Sequence, residues 1–274
     1  MSSSTVSKRS YGVDVASYQS ASVNYTGAKF AFVKVTEGTE YVNPKAEAQI
    51  KSAKAHGLMV MGYFYANHST SVSKARAEAK YAVAKAEAFG IPKGSYLADD
   101  FEHGSGNNVN GSISGNTDAI LAAMQVIKEA GYKPMVYSGA YVLHNRVSAS
   151  RIVKSYGTCL WVASYKISGR QDYADFNYFP SMDGVAIWQF TDNYKGYKVD
   201  GNITLINLKI SSGSSQSKST KTAVESLSQH PVVKWNIGAV AVVSNRKGAY
   251  VYTSSKLDKR ESDKLKPCGS VWQV

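Results

Sequence analysis

The sequence predicts an α/β barrel, and three observations carry that prediction. Eight short apolar segments recur between Tyr11 and Leu208. Several are nearly continuous in apolar character, as strands covered on both faces are. Helical patterns separate the early ones. Strands alternating with helices pair in parallel through right-handed crossovers, and eight of them suggest a closed barrel of the (β/α)8 kind. An open doubly wound sheet is the competing architecture, but its phosphate-binding fingerprint is missing: "GSGNNVNG" lacks the third glycine in register and follows acids.

The strand segments, in order, are "YGVDV", "FAFVKV", "LMVMGYFY", "YLADDF", "PMVYS", "CLWVASY", "VAIWQF" and "ITLINL". The first helical pattern has Asn43 as its N-cap, Pro44 at the first helical position and Gly57 as its stop. The second is rich in alanine and stops at Gly90, with Pro92 just beyond. A third is capped by Asn116 or Thr117, carries Asp118 in its first turn and ends at Gly131. The later strands follow one another with less helix between them, so the second half of the barrel is expected to be irregular.

The chain has 274 residues, 43% hydrophobic and 19% charged, which is enough for one large domain and a smaller one. The barrel is expected over 8–210 and a serine-rich linker over 211–230. A small all-β module over 231–274 follows, from the glycine-punctuated runs "GAVAVV" and "GAYVYTS". No apolar stretch approaches the roughly 20 residues that cross a bilayer, so membrane insertion is not expected. The start, "MSSSTVSKRS", lacks the apolar centre of a signal peptide, so synthesis without a secretion signal is expected. Cys159 and Cys268 are far apart and read as free thiols. No metal or cofactor pattern stands out.

The net charge of +12 implies attraction to a polyanion. The basic residues are dispersed and no zinc-finger, basic-zipper or ribonucleoprotein motif is present, so nucleic acid is not the expected partner. An anionic cell wall attracts such a protein equally well, and the 19 tyrosines suit a sugar-binding surface.

Chemistry in barrels of this kind sits at the C-terminal ends of the strands. Those ends carry Asp14, then Glu37, then Tyr63 and Tyr65, then Asp100 and Glu102, then Tyr137, Tyr165, Trp188 and Gln189. Asp200 lies in the loop before the eighth strand. Acids and aromatics therefore converge on one rim, which is the chemistry of a carbohydrate site: aromatic faces stack on sugar rings, and paired carboxylates break glycosidic bonds. Period-two alternation puts Asp100 and Glu102 on one face, and Asp99 on the other as a structural or salt-bridging acid. Glu37 has the alternative of pairing with Lys34. Trp161 and Trp188 both have core filling as an alternative, the favoured reading for Trp161, and His103 reads as a surface or outlying residue.

Several segments in order, "YGVDVASYQ", "FVKVTEG", "MGYFYA", "DFE", "GYKPMVYS", "LWVASY", "FPSMDGVAIWQFT" and "VDGN", resemble glycoside hydrolase family 25, the Chalaropsis-type lysozymes common in endolysins of phages of Gram-positive hosts. The resemblance covers about residues 10–210. It implies a flattened (β/α)5(β)3 TIM-like barrel that hydrolyses the β-1,4 bond between N-acetylmuramic acid and N-acetylglucosamine in peptidoglycan. The matching positions are Asp14, Asp100, Glu102 and Asp200, with Glu102 implied as proton donor. A monomer made in the host cytoplasm without a signal peptide and acting on the cell wall is expected, with peptidoglycan and anionic wall polymers as partners. Tyr65 stands where the family often has histidine, and Thr204-Leu205-Ile206 where many members read Asp-Leu-Asn. The C-terminal segment resembles part of a bacterial SH3-like wall-binding module. A non-catalytic wall lectin and a chitinase-like hydrolase are the rival readings.

Overall fold

The computed structural model describes residues 4–210, together with Val240–Val242 and Val271–Gln273. Eight of the described strands form one closed ring: β1 Tyr11–Val15, β2 Ala28–Glu37, β3 Met59–Tyr65, β4 Tyr96–Asp100, β5 Lys133–Gly139, β6 Leu160–Ala163, β7 Val185–Thr191 and β8 Asp200–Thr204. Strands β1 to β7 pair in parallel in chain order. Strand β8 runs antiparallel to both β7 and β1 and closes the ring.

The direction of β8 follows from chain length. Only residues 192–199 separate it from β7, whereas a parallel return needs a crossover of a dozen or more. The chain turns back instead, and Asp200 arrives at the rim where the other strands end. Two expectations are corrected by this. Asp200 is the first residue of a strand, not part of a loop. The segment expected as the eighth strand is split: Ile203 and Thr204 end β8, while Leu208–Ile210 pairs antiparallel with Ser4–Val6.

Helices α1 Ala46–Ala55, α2 Val72–Ala88 and α3 Ile113–Glu129 cover the parallel strands from outside, and the short α4 Ala140–Asn145 and α5 Ala149–Tyr156 follow β5. Alanines 75, 79, 82 and 86 make one fully buried face of α2, where small side chains let the helix approach its neighbours closely. Gly57 and Gly90, with φ of 75° and 77°, sit in the left-handed region just past α1 and α2 and end them as expected. Two caps fall elsewhere. Asn43 accepts the Lys45 amide at 3.0 Å and donates to Lys34 and Gln49, so it organises the turn before α1, whose N-cap is Lys45. Ser112, not Asn116 or Thr117, caps α3 by accepting the Gly115 amide. Asn116 is instead buried and donates to the carbonyls of Val109 and Arg146.

Apart from bulges in β2 and β7, the strands alternate between two cores. Phe30, Phe32, Met59, Met61, Tyr63, Tyr96, Ala98, Met135, Trp161 and Ile187 fill the barrel interior. Their sequence neighbours, among them Val13, Ala31, Val33, Val60 and Leu97, pack outward against the helices. Residues Val240–Val242 and Val271–Gln273 form an antiparallel pair in the unit Ser215–Val274. The linker over 211–230 and the SH3-like reading of 231–274 otherwise lie outside the described residues.

Candidate active site

At the rim the interior changes from apolar to acidic. A cavity of about 380 Å³ opens there, lined by Asp14, Asp100, Glu102, Asp200, Glu37 and Lys34, by Tyr18, Tyr63, Tyr65, Tyr137 and Trp161, and by Gln189. The parity expected for β4 holds. Asp100 and Glu102 face the cavity, while Asp99 and Phe101 face outward and are fully buried. Asp99 meets the His68 ring at 3.2 Å, both side chains wholly shielded, and the His68 ring stacks on Phe101.

The acids fall into two pairs. Asp200 is the cross-strand partner of Asp14. Burial pushes the Asp200 carboxyl up to about 9, helped by the Asp14 charge and the hydrogen bond between them. Burial also raises Asp14, against the pull of hydrogen bonds from Asn202 and Gln189. In the second pair, burial and then the Glu102 charge hold Asp100 well above the usual carboxylate range. Burial and the Asp14 charge raise Glu102, tempered by Lys34. Burial and neighbouring charge thus favour the protonated form in each pair, the condition that lets a carboxyl act as a general acid. Asp100 lines the cavity, and its Oδ1 is buried without any hydrogen-bond partner, so one acceptor is unused.

The remaining positions divide. Glu37 is paired with Lys34 at 2.7 Å, and the Lys34 ammonium lies 4.8 Å from the centre of the Tyr65 ring. The Tyr137 and Tyr165 hydroxyls both donate to Gln189 Oε1, at 2.8 and 2.5 Å, and Tyr165 stands outside the cavity lining. Trp188 is a correction. It faces outward, edge-on to Phe176, Phe179 and Phe190, and its indole donates to the Ser164 carbonyl. Trp161 is the filler expected, 1% exposed in the barrel interior, stacked 4.2 Å from Phe32 and edge-on to Tyr137 and Tyr63, and it also borders the cavity. The physical reason is parity: Trp188 and Gln189 are neighbours on one strand, so only one can point inward. Asn202, missed in the sequence, carried the signal that found Glu102: it stands two residues from an acid on the same strand. His103 is exposed, and burial pushes the Cys159 thiol up to about 12, leaving it inert at neutral pH.

An aromatic-walled bowl holding two carboxyl pairs, all four acids raised by burial, at the mouth of a barrel is the site of a glycoside hydrolase. The chain belongs to glycosyl hydrolases family 25, whose model matches residues 13–199. It is 42% identical over 179 residues to a lysozyme of Lactococcus phage mv1, covering 64% of this chain and 89% of that protein. It is 33% identical over 207 residues to a lysozyme of Streptococcus phage Cp-7, covering 74% of this chain and 55% of that one. Among solved structures, it is similar to the modular Cpl-1 endolysin complexed with a peptidoglycan analogue, with a TM-score of 0.62, 30% identity, and coverage of 74% of this chain and 56% of that one. The chain thus spans nearly all of one phage lysozyme and just over half the length of the modular ones. By family and relatives it is a glycoside hydrolase of the lysozyme class.

Proposed function

We propose that the barrel is an N-acetylmuramidase that cuts the β-1,4 bond between N-acetylmuramic acid and N-acetylglucosamine, acting as a phage endolysin on Gram-positive walls. Glu102 is the general acid that protonates the departing sugar oxygen. It is the less enclosed member of its pair, with the Asp14 charge favouring its protonated form. Sugar rings stack on Tyr65 and Tyr137, the partly exposed tyrosines of the cavity wall.

The observation that carries the reading is the unpartnered Asp100 Oδ1 beside Glu102. An N-acetyl group placed there supplies an amide N–H. That hydrogen bond favours the carboxylate form of Asp100 and shifts the pair's proton to Glu102, where it is needed. Asp100 then orients the amide so that its carbonyl oxygen attacks the anomeric carbon from within the substrate, one of the known alternatives to an enzyme nucleophile. A lectin has no use for two buried carboxyl pairs whose protonated forms are favoured. Chitin offers the same N-acetyl group, and only the product separates the two polymers. Digestion of purified peptidoglycan, followed by borohydride reduction, should give N-acetylmuramitol. N-acetylglucosaminitol as the sole new alditol would refute the muramidase reading.

A further inference from the structure

The two amides behind Asp14 have no freedom to turn. Asp14 Oδ2 accepts Asn202 Nδ2 at 2.6 Å and Gln189 Nε2 at 2.9 Å. Asn202 Oδ1 in turn accepts the Trp161 indole Nε1–H at 2.7 Å. An indole nitrogen only donates, so the Asn202 oxygen must face Trp161 and its NH₂ must face Asp14. Gln189 is held the same way, its Oε1 taking the Tyr137 and Tyr165 hydroxyls and leaving its NH₂ for Asp14. Both amides are buried, Asn202 completely. Turning either one would set a carbonyl oxygen against a carboxylate and strand buried donors, at about 1–3 kcal/mol for each group left unpaired.

The opposite side of the pair has no such support. Asp200 meets Asp14 across the β1–β8 ladder, and among the described residues no amide donates to its carboxyl. Two N–H donors on one carboxyl and none on the other select which of the two is charged.

We propose that Asn202, locked by Trp161, and Gln189, locked by Tyr137 and Tyr165, are positioning residues that hold Asp14 as the anion of the Asp14–Asp200 pair and leave the proton on Asp200. This rests on the glycosidase reading of the bowl. The proton sits on the hydrogen bond between the two carboxyls, so the bowl carries one charge fewer than its acids imply. The charge that remains is fixed on Asp14, which faces Glu102, Asp100, Tyr63, Tyr137 and Tyr165, with Lys34 the cation acting on Asp100 and Glu102. The Asp14 charge raises Glu102. A locked anion at Asp14 therefore keeps the proton donor loaded, and the indole of Trp161 acts on catalysis through two hydrogen bonds.

Carboxyl-carbon NMR titration of the full chain tests this without substrate. Asp200, assigned by its loss in Asp200→Asn, should titrate far above an ordinary aspartate, and Asp14 should stay ionised at neutral pH. In Asn202→Ala, and in Trp161→Phe, which keeps a ring against Phe32 but removes the N–H, the proton should move toward Asp14. The alkaline limb of the pH–rate profile should then shift to lower pH by about one unit, within the range a neighbouring charge imposes. Trp161→Phe carries the test if Asn202→Ala does not fold. Both carboxyls ionised at neutral pH, or a folded Trp161→Phe chain with unchanged titrations and an unmoved limb, would overturn the inference. Expected titrations in a chain that releases no muramitol would sink the muramidase reading and leave this one standing.

Discussion

Asp14 on β1 and Asp200 on β8 stand directly opposite one another across an antiparallel ladder, and their carboxyls share a hydrogen bond. The two are 186 residues apart in a chain of 274 and belong to strands of opposite direction. That pairing, beside the Asp100–Glu102 pair from a single chain segment, gives the bowl its two carboxyl pairs. The predictions below separate what each part does.

Replacing Glu102 by Gln should preserve the fold and lower wall lysis by about 10²–10⁴-fold, the usual contribution of a general acid. Turbidity clearing of walls, with circular dichroism as the check on folding, measures both. Undiminished lysis would remove Glu102 from the donor role.

The stereochemical course follows from the geometry proposed for Asp100. Net retention is expected, without a sugar bonded to the protein. Proton NMR of the first product should show the β-anomer, and mass spectrometry of a quenched reaction should find the chain unmodified. An initial α-anomer would mean inversion, with Asp14 or Asp200 activating water. A glycosylated carboxylate would make one of the four acids the nucleophile.

Trp188 and Trp161 should respond oppositely. Trp188→Ala empties a site on the outer face and should cost about 3–5 kcal/mol of stability, while affinity for a soluble muropeptide tetrasaccharide, measured by calorimetry below the melting point, stays unchanged. Trp161→Ala should weaken that binding as well. Weak binding in a Trp188→Ala chain of normal stability would place the sugar on the wrong face.

The His68–Asp99 pair predicts a pH-dependent stability. Burial works against the His68 charge, but the Asp99 charge and hydrogen bonds to Asp99 and Ser69 outweigh it and raise the imidazole above its usual 6.5. Because the folded-state value is the higher one, the stabilisation is complete below 6.5 and is lost as pH rises through the raised value. His68→Leu should lower stability by about 3–5 kcal/mol at pH 6, since it leaves Asp99 buried without its partner. It should also flatten the loss of thermal stability between pH 6 and pH 9. An identical pH slope in the variant would mean the pair carries no charge.

Ending the chain at Ser214, the boundary of the first unit, should leave a folded barrel active on soluble fragments but weaker on whole walls. What wall binding remains should fall with salt, as charge-driven attraction does. Equal binding of whole walls by both lengths would show that the remainder does not target them.

The sequence by itself determined the barrel, most of its strands and the Asp100–Glu102 pair. Those follow from local rules: apolar runs of strand length, helix stops at glycine, and the alternation that puts residues two apart on one face. Asp99 was legible for the same reason. What tertiary structure decided is which face is the inside. Strands β6 and β7 are apolar on both faces because both are covered, one by the barrel interior and one by the outer layer. Nothing local therefore tells Trp161 from Trp188, and only closure of the ring, which pairs Gln189 with Asn202, assigns Trp188 outward. Closure likewise sets the direction of β8, bringing Asp200 to Asp14 and Asn202 beneath them. A proton shared across strands 186 residues apart depends on distance and burial, and a linear chain specifies neither until it is folded.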